Sequence, residues 1–196
     1  MKQNNQLDIK ELFNLAFQNQ KKKNFKVAIS QYKKLVDINP NLAIVYYNLG
    51  LIYEQLEETE VAKKNYKKSV KVDPLFFHSY NNLGILFQKQ GEKEKAIENF
   101  KKVIEINSQY INAYNNLGLV YSSLGHYKDA VNSFIKTLEL EKDNPVAKKS
   151  LIYLLTYYST KNNHPIIIAN NSLKQLQKKF KFKDLLKINN LSYILK

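Results

Sequence analysis

The chain has 196 residues, 44% of them hydrophobic, enough apolar material for a buried core. It has no Cys, which excludes a disulfide framework, a thiolate metal centre and a cysteine nucleophile. Its 31 basic residues outnumber 17 acidic ones for a net charge of +14, and every basic residue is Lys. Lys is a hydrated point charge, whereas Arg carries bidentate recognition of phosphate and guanine. The charge therefore reads as a general field, and the missing Arg argues against a nucleic-acid partner. Five Gly and four Pro are too few for a turn-dense β fold and point to helices.

The chain opens with a short polar tail, 1–8, that does not read as a secretory signal. No run approaches the ~18 apolar residues of a membrane span. The expected location is the cytoplasm or an organelle matrix. From residue 9 the chain repeats itself. Tyr-Tyr-Asn-Leu-Gly ends at Gly50, and Tyr-Asn-Asn-Leu-Gly ends at Gly84 and again at Gly118, 34 residues apart each time. An aromatic follows each Gly after three residues, at Tyr53, Phe87 and Tyr121. Next in each unit come a small residue (Ala62, Ala96, Ala130) and a second aromatic (Tyr66, Phe100, Phe134). Pro40 and Pro74 share the period, as do the turn glycines Gly91 and Gly125. One period earlier, Leu15, Ala16, Ala28 and Tyr32 hold the same phase more weakly. Four units result, 9–41, 43–75, 77–109 and 111–144.

Leu49, Ile52 and Tyr53 fall at i, i+3 and i+4, one face of a helix. Gly50 and Ala62 are small where two helices cross closely, and Pro40 and Pro74 cannot continue a helix. No unit can bury its apolar face alone, so neighbouring units must supply the core. Small and aromatic residues recurring in one order at one period resemble the tetratricopeptide repeat family over about 70% of the chain. The resemblance implies an all-α solenoid of helical hairpins, a right-handed superhelix with a concave groove lined by the first helix of each pair. Pro145 is placed to start a further helix. The stretch 145–160, apolar at Leu151, Ile152, Leu154 and Leu155, is expected to cap the stack. The remainder, 161–196, reads as a helical extension with eight Lys against one Asp. It could touch an anionic surface weakly, or simply be a capping helix with a solvated face.

No catalytic constellation is visible. The three His lie at 78, 126 and 164 with no metal-ligand spacing, and no nucleophile elbow, phosphate loop or dinucleotide fingerprint occurs. No cofactor and no enzyme activity are expected. Binding is another matter. The residue before the signature Leu is Asn14, Asn48, Asn82 and Asn116, always in one phase. Asn is a mediocre helix former, so its recurrence calls for a reason. One reason is recognition, because a carboxamide can pair with any peptide backbone. The phase resembles the asparagine ladder in the tetratricopeptide superhelix of O-linked N-acetylglucosamine transferases. The other reason is structural, with each Asn bridging adjacent repeats. Tyr47, His78, Asn81, Asn112 and Asn115 are further groove candidates, and Phe13, Leu51, Ile85 and Leu119 would make parts of the groove apolar.

Family members that hold the acidic tails of heat-shock chaperones use a clamp of Lys, Asn and Arg. Here Phe13 and Phe17, or Tyr47 and Leu51, stand where its first Lys and Asn would fall. Chaperone-tail binding is therefore not expected. The resulting expectation is a non-catalytic scaffold or adaptor that takes a protein or extended peptide in its groove. The alternatives are a substrate-recruiting module of a larger transferase-like enzyme, or a peripheral factor assembling membrane complexes through the basic tail.

Overall fold

The computed structural model describes residues 8–161, with side-chain burial through 154. All but residue 8 of the expected polar tail, 1–8, and all but residue 161 of the expected Lys-rich extension, 161–196, lie outside the described residues. Among the described residues there are nine helices and no strand. The first helices of the four hairpins are α1 (Ile9–Lys21), α3 (Ala43–Gln55), α5 (Phe77–Lys89) and α7 (Ile111–Ser123). The second helices are α2 (Phe25–Ile38), α4 (Thr59–Val72), α6 (Lys93–Ile106) and α8 (Tyr127–Leu140), and α9 (Pro145–Lys161) follows. The chain divides into two compact units, Met1–Glu92 with α1–α5 and Lys93–Lys196 with α6–α9.

In the first unit α1 packs on α2 and α3 on α4, while α2 and α4 also pack on the helix that follows them. The second helix of a hairpin is amphipathic. In α2 it buries Ala28, Tyr32 and Leu35, and in α4 it buries Ala62, Tyr66 and Ser69. These form an i, i+4, i+7 stripe with Lys on the far side. Leu12, Ala16, Ala28, Tyr32, Leu35, Val45, Leu49 and Ile52 make one continuous core, edged by Phe13, Phe25 and Tyr53. The ring of Tyr66 lies so close to Gly50 that a Cβ there would run into it.

In the second unit α6 packs on α7, α7 on α8, and α9 on both α7 and α8. Phe134 and Leu138 are fully buried, and so is Ala147 of α9. A Cβ at Gly118 would stand 2.7 Å from the Phe134 ring, the same close approach as at Gly50 two repeats earlier. Helix α9 starts at Pro145, as its sequence implies. Asn144 supplies the cap, its Oδ1 accepting the Ala147 backbone N–H at 3.0 Å.

Every hairpin turn uses one device. The residues at 23, 57, 91 and 125 all have positive φ, between 60° and 79°. At Glu57, its own N–H donates to the Glu54 carbonyl at 3.1 Å and the next N–H, of Glu58, donates to the Tyr53 carbonyl at 2.9 Å. The same pair of bonds recurs around Gly91 and Gly125. This is the Schellman arrangement that satisfies orphan carbonyls at a helix end. The sequence marks Gly91 and Gly125 as turn residues. It does not mark Lys23 and Glu57, which hold the same left-handed conformation without being glycine. The links between hairpins are also shared. Asn39, Asp73 and Asn107 each accept, on Oδ1, the backbone N–H two residues ahead, at 2.9 to 3.1 Å. These Asx turns stop the second helix just before or at the position held by Pro40 and Pro74.

Candidate functional site

The exposed flank of the first helices is the surface the sequence singles out. In the first unit it is built from α1, α3 and α5. Ile9 and Phe13 stand at i, i+4 on α1, Ile44 and Tyr47 at i, i+3 on α3, and His78 and Asn82 at i, i+4 on α5. Asp8, Ile9, Lys10, Phe13, Leu42 and Ile44 bound an open hollow of about 350 Å³, its walls almost wholly apolar. Next along α3, Tyr47 belongs to a ring cluster. Its centroid is 5.3 Å from Phe76, 5.9 Å from His78 and 6.0 Å from Tyr66. His78 also lies 4.1 Å from Phe77, and partial burial lowers its pKa from 6.5. The imidazole is therefore a neutral, ring-like surface at pH 7.

Beside the rings runs a polar chain. Tyr66 donates its hydroxyl hydrogen to Glu54 Oε2 at 2.7 Å and accepts from Asn82 Nδ2 at 3.1 Å. Asn82 Oδ1 accepts in turn from Asn81 Nδ2 at 3.2 Å. The Lys89 ammonium lies 3.6 Å from the other Glu54 oxygen. Burial and the Glu54 carboxylate both push the Tyr66 phenol upward, so it stays protonated as a donor. The Asn82 amide keeps one N–H and one lone pair beyond these two bonds.

The four in-phase asparagines do not share one environment. Asn14 is exposed on α1, whereas Asn82 and Asn116 are half-buried. Asn48 is buried, at 3% exposure. It stands against Tyr32 as Asn82 stands against Tyr66, but its Nδ2 completes no hydrogen bond. Among the additional candidates, Tyr47 is half-buried, and His78 and Asn112 are exposed. Asn81 and Asn115 are buried at 6% and 7%. Asn115 donates to Asn144 Oδ1 at 3.3 Å, and so braces the cap of α9. Asn48, Asn81 and Asn115 therefore sit in the packing rather than on the open surface the sequence suggests. Asn82 does both things, bridging to the preceding repeat while keeping an accessible edge.

Phe76, Phe77, Glu54 and Lys89 belong to this surface and were not singled out from sequence. The signal was present, since residue 76 immediately precedes a first helix and Glu54 stands one helical turn beyond Gly50. Among the described residues no group of three His, Cys, Asp or Glu gathers to hold a metal ion. None of the described helices is long and apolar enough to cross a membrane.

Comparison with known proteins places this geometry. The family pattern described as TPR repeat matches residues 21–57 and 89–125. Patterns described as tetratricopeptide repeat match 43–74, 65–98 and 111–144. None of the curated proteins matches the sequence. Among solved structures, MamA is 26% identical, with a TM-score of 0.70 over 89% of this chain and 95% of that one. YrrB, a TPR protein described as having an unusual peptide-binding site, is 18% identical, with a TM-score of 0.69 over 96% and 92%. The first TPR domain of Spaghetti (RPAP3), bound to the HSP90 peptide SRMEEVD, is 21% identical, with a TM-score of 0.58 over 60% and 94%. With repeat patterns together spanning 21–144 and the helical hairpins in place, the chain belongs to the tetratricopeptide repeat family.

Proposed function

We propose that this chain is a non-catalytic interaction scaffold whose ligand is an extended peptide segment of another protein. The peptide lies on the open flank of α1, α3 and α5. The observation that carries this reading is the juxtaposition of half-exposed rings with an amide that has valences to spare. Tyr47, Phe76 and His78 offer faces to a side chain, and Asn82 offers both a donor and an acceptor to a backbone. Asn14 adds a second exposed amide, and the hollow beside Phe13 adds room for an apolar side chain. Each amide–backbone bond contributes only ~0.5–1.5 kcal/mol, so selectivity belongs to the rings and the hollow. The structures of YrrB and RPAP3 lend the fold; the groups here differ from a carboxylate clamp, because rings stand where cationic residues would be needed.

The test is a peptide array probed with the intact chain and with a Tyr47→Ser/His78→Ser/Asn82→Ala variant. The wild type retains a subset of unstructured peptides, and the variant, with its helical circular dichroism unchanged, loses that subset by tenfold or more. Equal retention by both proteins overturns the reading.

A further inference from the structure

The second helices carry Lys pairs one period apart, Lys33-Lys34, Lys67-Lys68 and Lys101-Lys102, with Lys136 alone in the fourth. Three residues after the second Lys there is an acid in three of the four repeats, Asp37, Glu105 and Glu139. In the second unit these close into ion pairs, Lys102–Glu105 at 2.9 Å and Lys136–Glu139 at 3.2 Å. Helix α4 breaks the rule, because Lys71 takes the place of the acid. Lys64, Lys68 and Lys71 fall at i, i+4 and i+7 with Lys67 beside them, and all four are exposed. The acids of α4 number one, Glu60, and Lys63 holds it at 2.7 Å. None of the four exposed lysines closes an ion pair with a carboxylate among the described residues, and only Lys67 is felt by Glu60 at longer range.

The ammonium groups are also held in place. Lys67 lies 5.9 Å from the centroid of Phe87 and Lys68 lies 5.6 Å from that of Tyr46, both rings being buried beneath the helix surface. Cation–π contact keeps these charges standing on the face instead of sweeping freely. We infer that the outer face of α4 adsorbs to an anionic lipid bilayer.

Three features separate a bilayer from other anionic partners. No large apolar residue is exposed between 59 and 72, so the face lacks the anchor from which protein interfaces draw most of their affinity. Nor does it expose a ring on which bases could stack, and it has no Arg to read a groove. Lipid headgroups diffuse laterally and gather under charges of any spacing, and each Lys near such a surface adds to the attraction without a fixed geometry. This role is distinct from peptide binding by the flank of α1, α3 and α5.

The experiment is co-sedimentation of the full chain with phosphatidylcholine vesicles, with and without about 30% phosphatidylserine. The wild type sediments only with the anionic vesicles. Lys64→Gln/Lys68→Gln/Lys71→Gln lowers the partition coefficient roughly a hundredfold. Removing the same number of exposed charges elsewhere, by Lys101→Gln/Lys128→Gln/Lys149→Gln, costs far less. The matching triple Lys→Arg variant of α4 keeps the charge and keeps the binding. Equal losses in the two Gln variants would show a net-charge effect and overturn the inference. So would a wild type that ignores anionic vesicles, or one that binds polyglutamate or duplex DNA in preference to them at the same ionic strength.

Discussion

At the residue scale, the repeats are held by side chains that look interchangeable and are not. The second-helix aromatic is Tyr in the first two repeats and Phe in the next two, and only the Tyr residues reach out to a polar partner. Tyr66→Phe removes one bond to Glu54 and one from Asn82 in a buried place, so it costs about 1–3 kcal/mol by urea unfolding. The pH dependence follows from the raised phenol. The unfolded chain ionises Tyr66 near 10.0 while the folded chain does not. Stability is thus fully present below pH 10 and falls as pH rises beyond it; the Phe variant flattens that fall. Gly118→Ala makes the converse point. Ala normally favours a helix by ~1 kcal/mol, yet here its Cβ must displace the buried Phe134 ring, so a net loss of about 1–3 kcal/mol is expected in thermal melts. The sequence made the glycine's reason legible, because Gly and aromatic recur at one spacing. It could not separate Asn14 from Asn48. Phase alone fixes which helix face an Asn occupies, while burial depends on whether a preceding hairpin covers that face.

At the scale of elements, helix order and length were legible because 34-residue punctuation leaves little freedom. The hairpin turns were half legible. Gly91 and Gly125 announce a left-handed residue, but Lys23 and Glu57 take the same conformation with a Cβ, at a cost of roughly 1 kcal/mol each. Glu57→Gly relieves that strain, offset in part by the extra freedom of the unfolded chain. It should raise the urea midpoint by an amount equivalent to about 0.5–1 kcal/mol with no change in helical signal. A lower midpoint would mean that the Glu57 side chain contributes more than its backbone costs. Helix α9 shows the opposite economy. Its start was readable from Pro145, whereas the role of Asn115 in bracing the Asn144 cap was not, because that contact spans 29 residues.

At the scale of the whole molecule, charge is the property that composition fixes and structure redistributes. A net +14 on 196 residues repels itself, and ion pairs such as Lys63–Glu60 and Lys102–Glu105 are short-range pairs on single helices. Screening such repulsion stabilises a compact chain. Raising sodium chloride from about 20 to about 200 mM should therefore lift the melting temperature by a few degrees, as the Debye length falls below the spacing between lysines. An unchanged or lower value would place the stabilising weight on the surface ion pairs instead. Composition alone implies no more than a general positive field. The helices show instead that α6 and α8 each close a Lys–Glu pair, whereas α4 pairs Lys63 with its single acid and leaves Lys64, Lys68 and Lys71 without one.

The turn at Gly91 has a further consequence for anyone who would rebuild this chain by chemical synthesis. Its φ of 79° belongs to the mirror image of the ordinary helical region. That conformation is the natural one for a residue of opposite handedness. A d-alanine at 91 would sit in its own energy minimum, and it would deny the unfolded chain the wandering that glycine permits. Stereochemistry, rather than side-chain identity, is what the hairpin asks of that position.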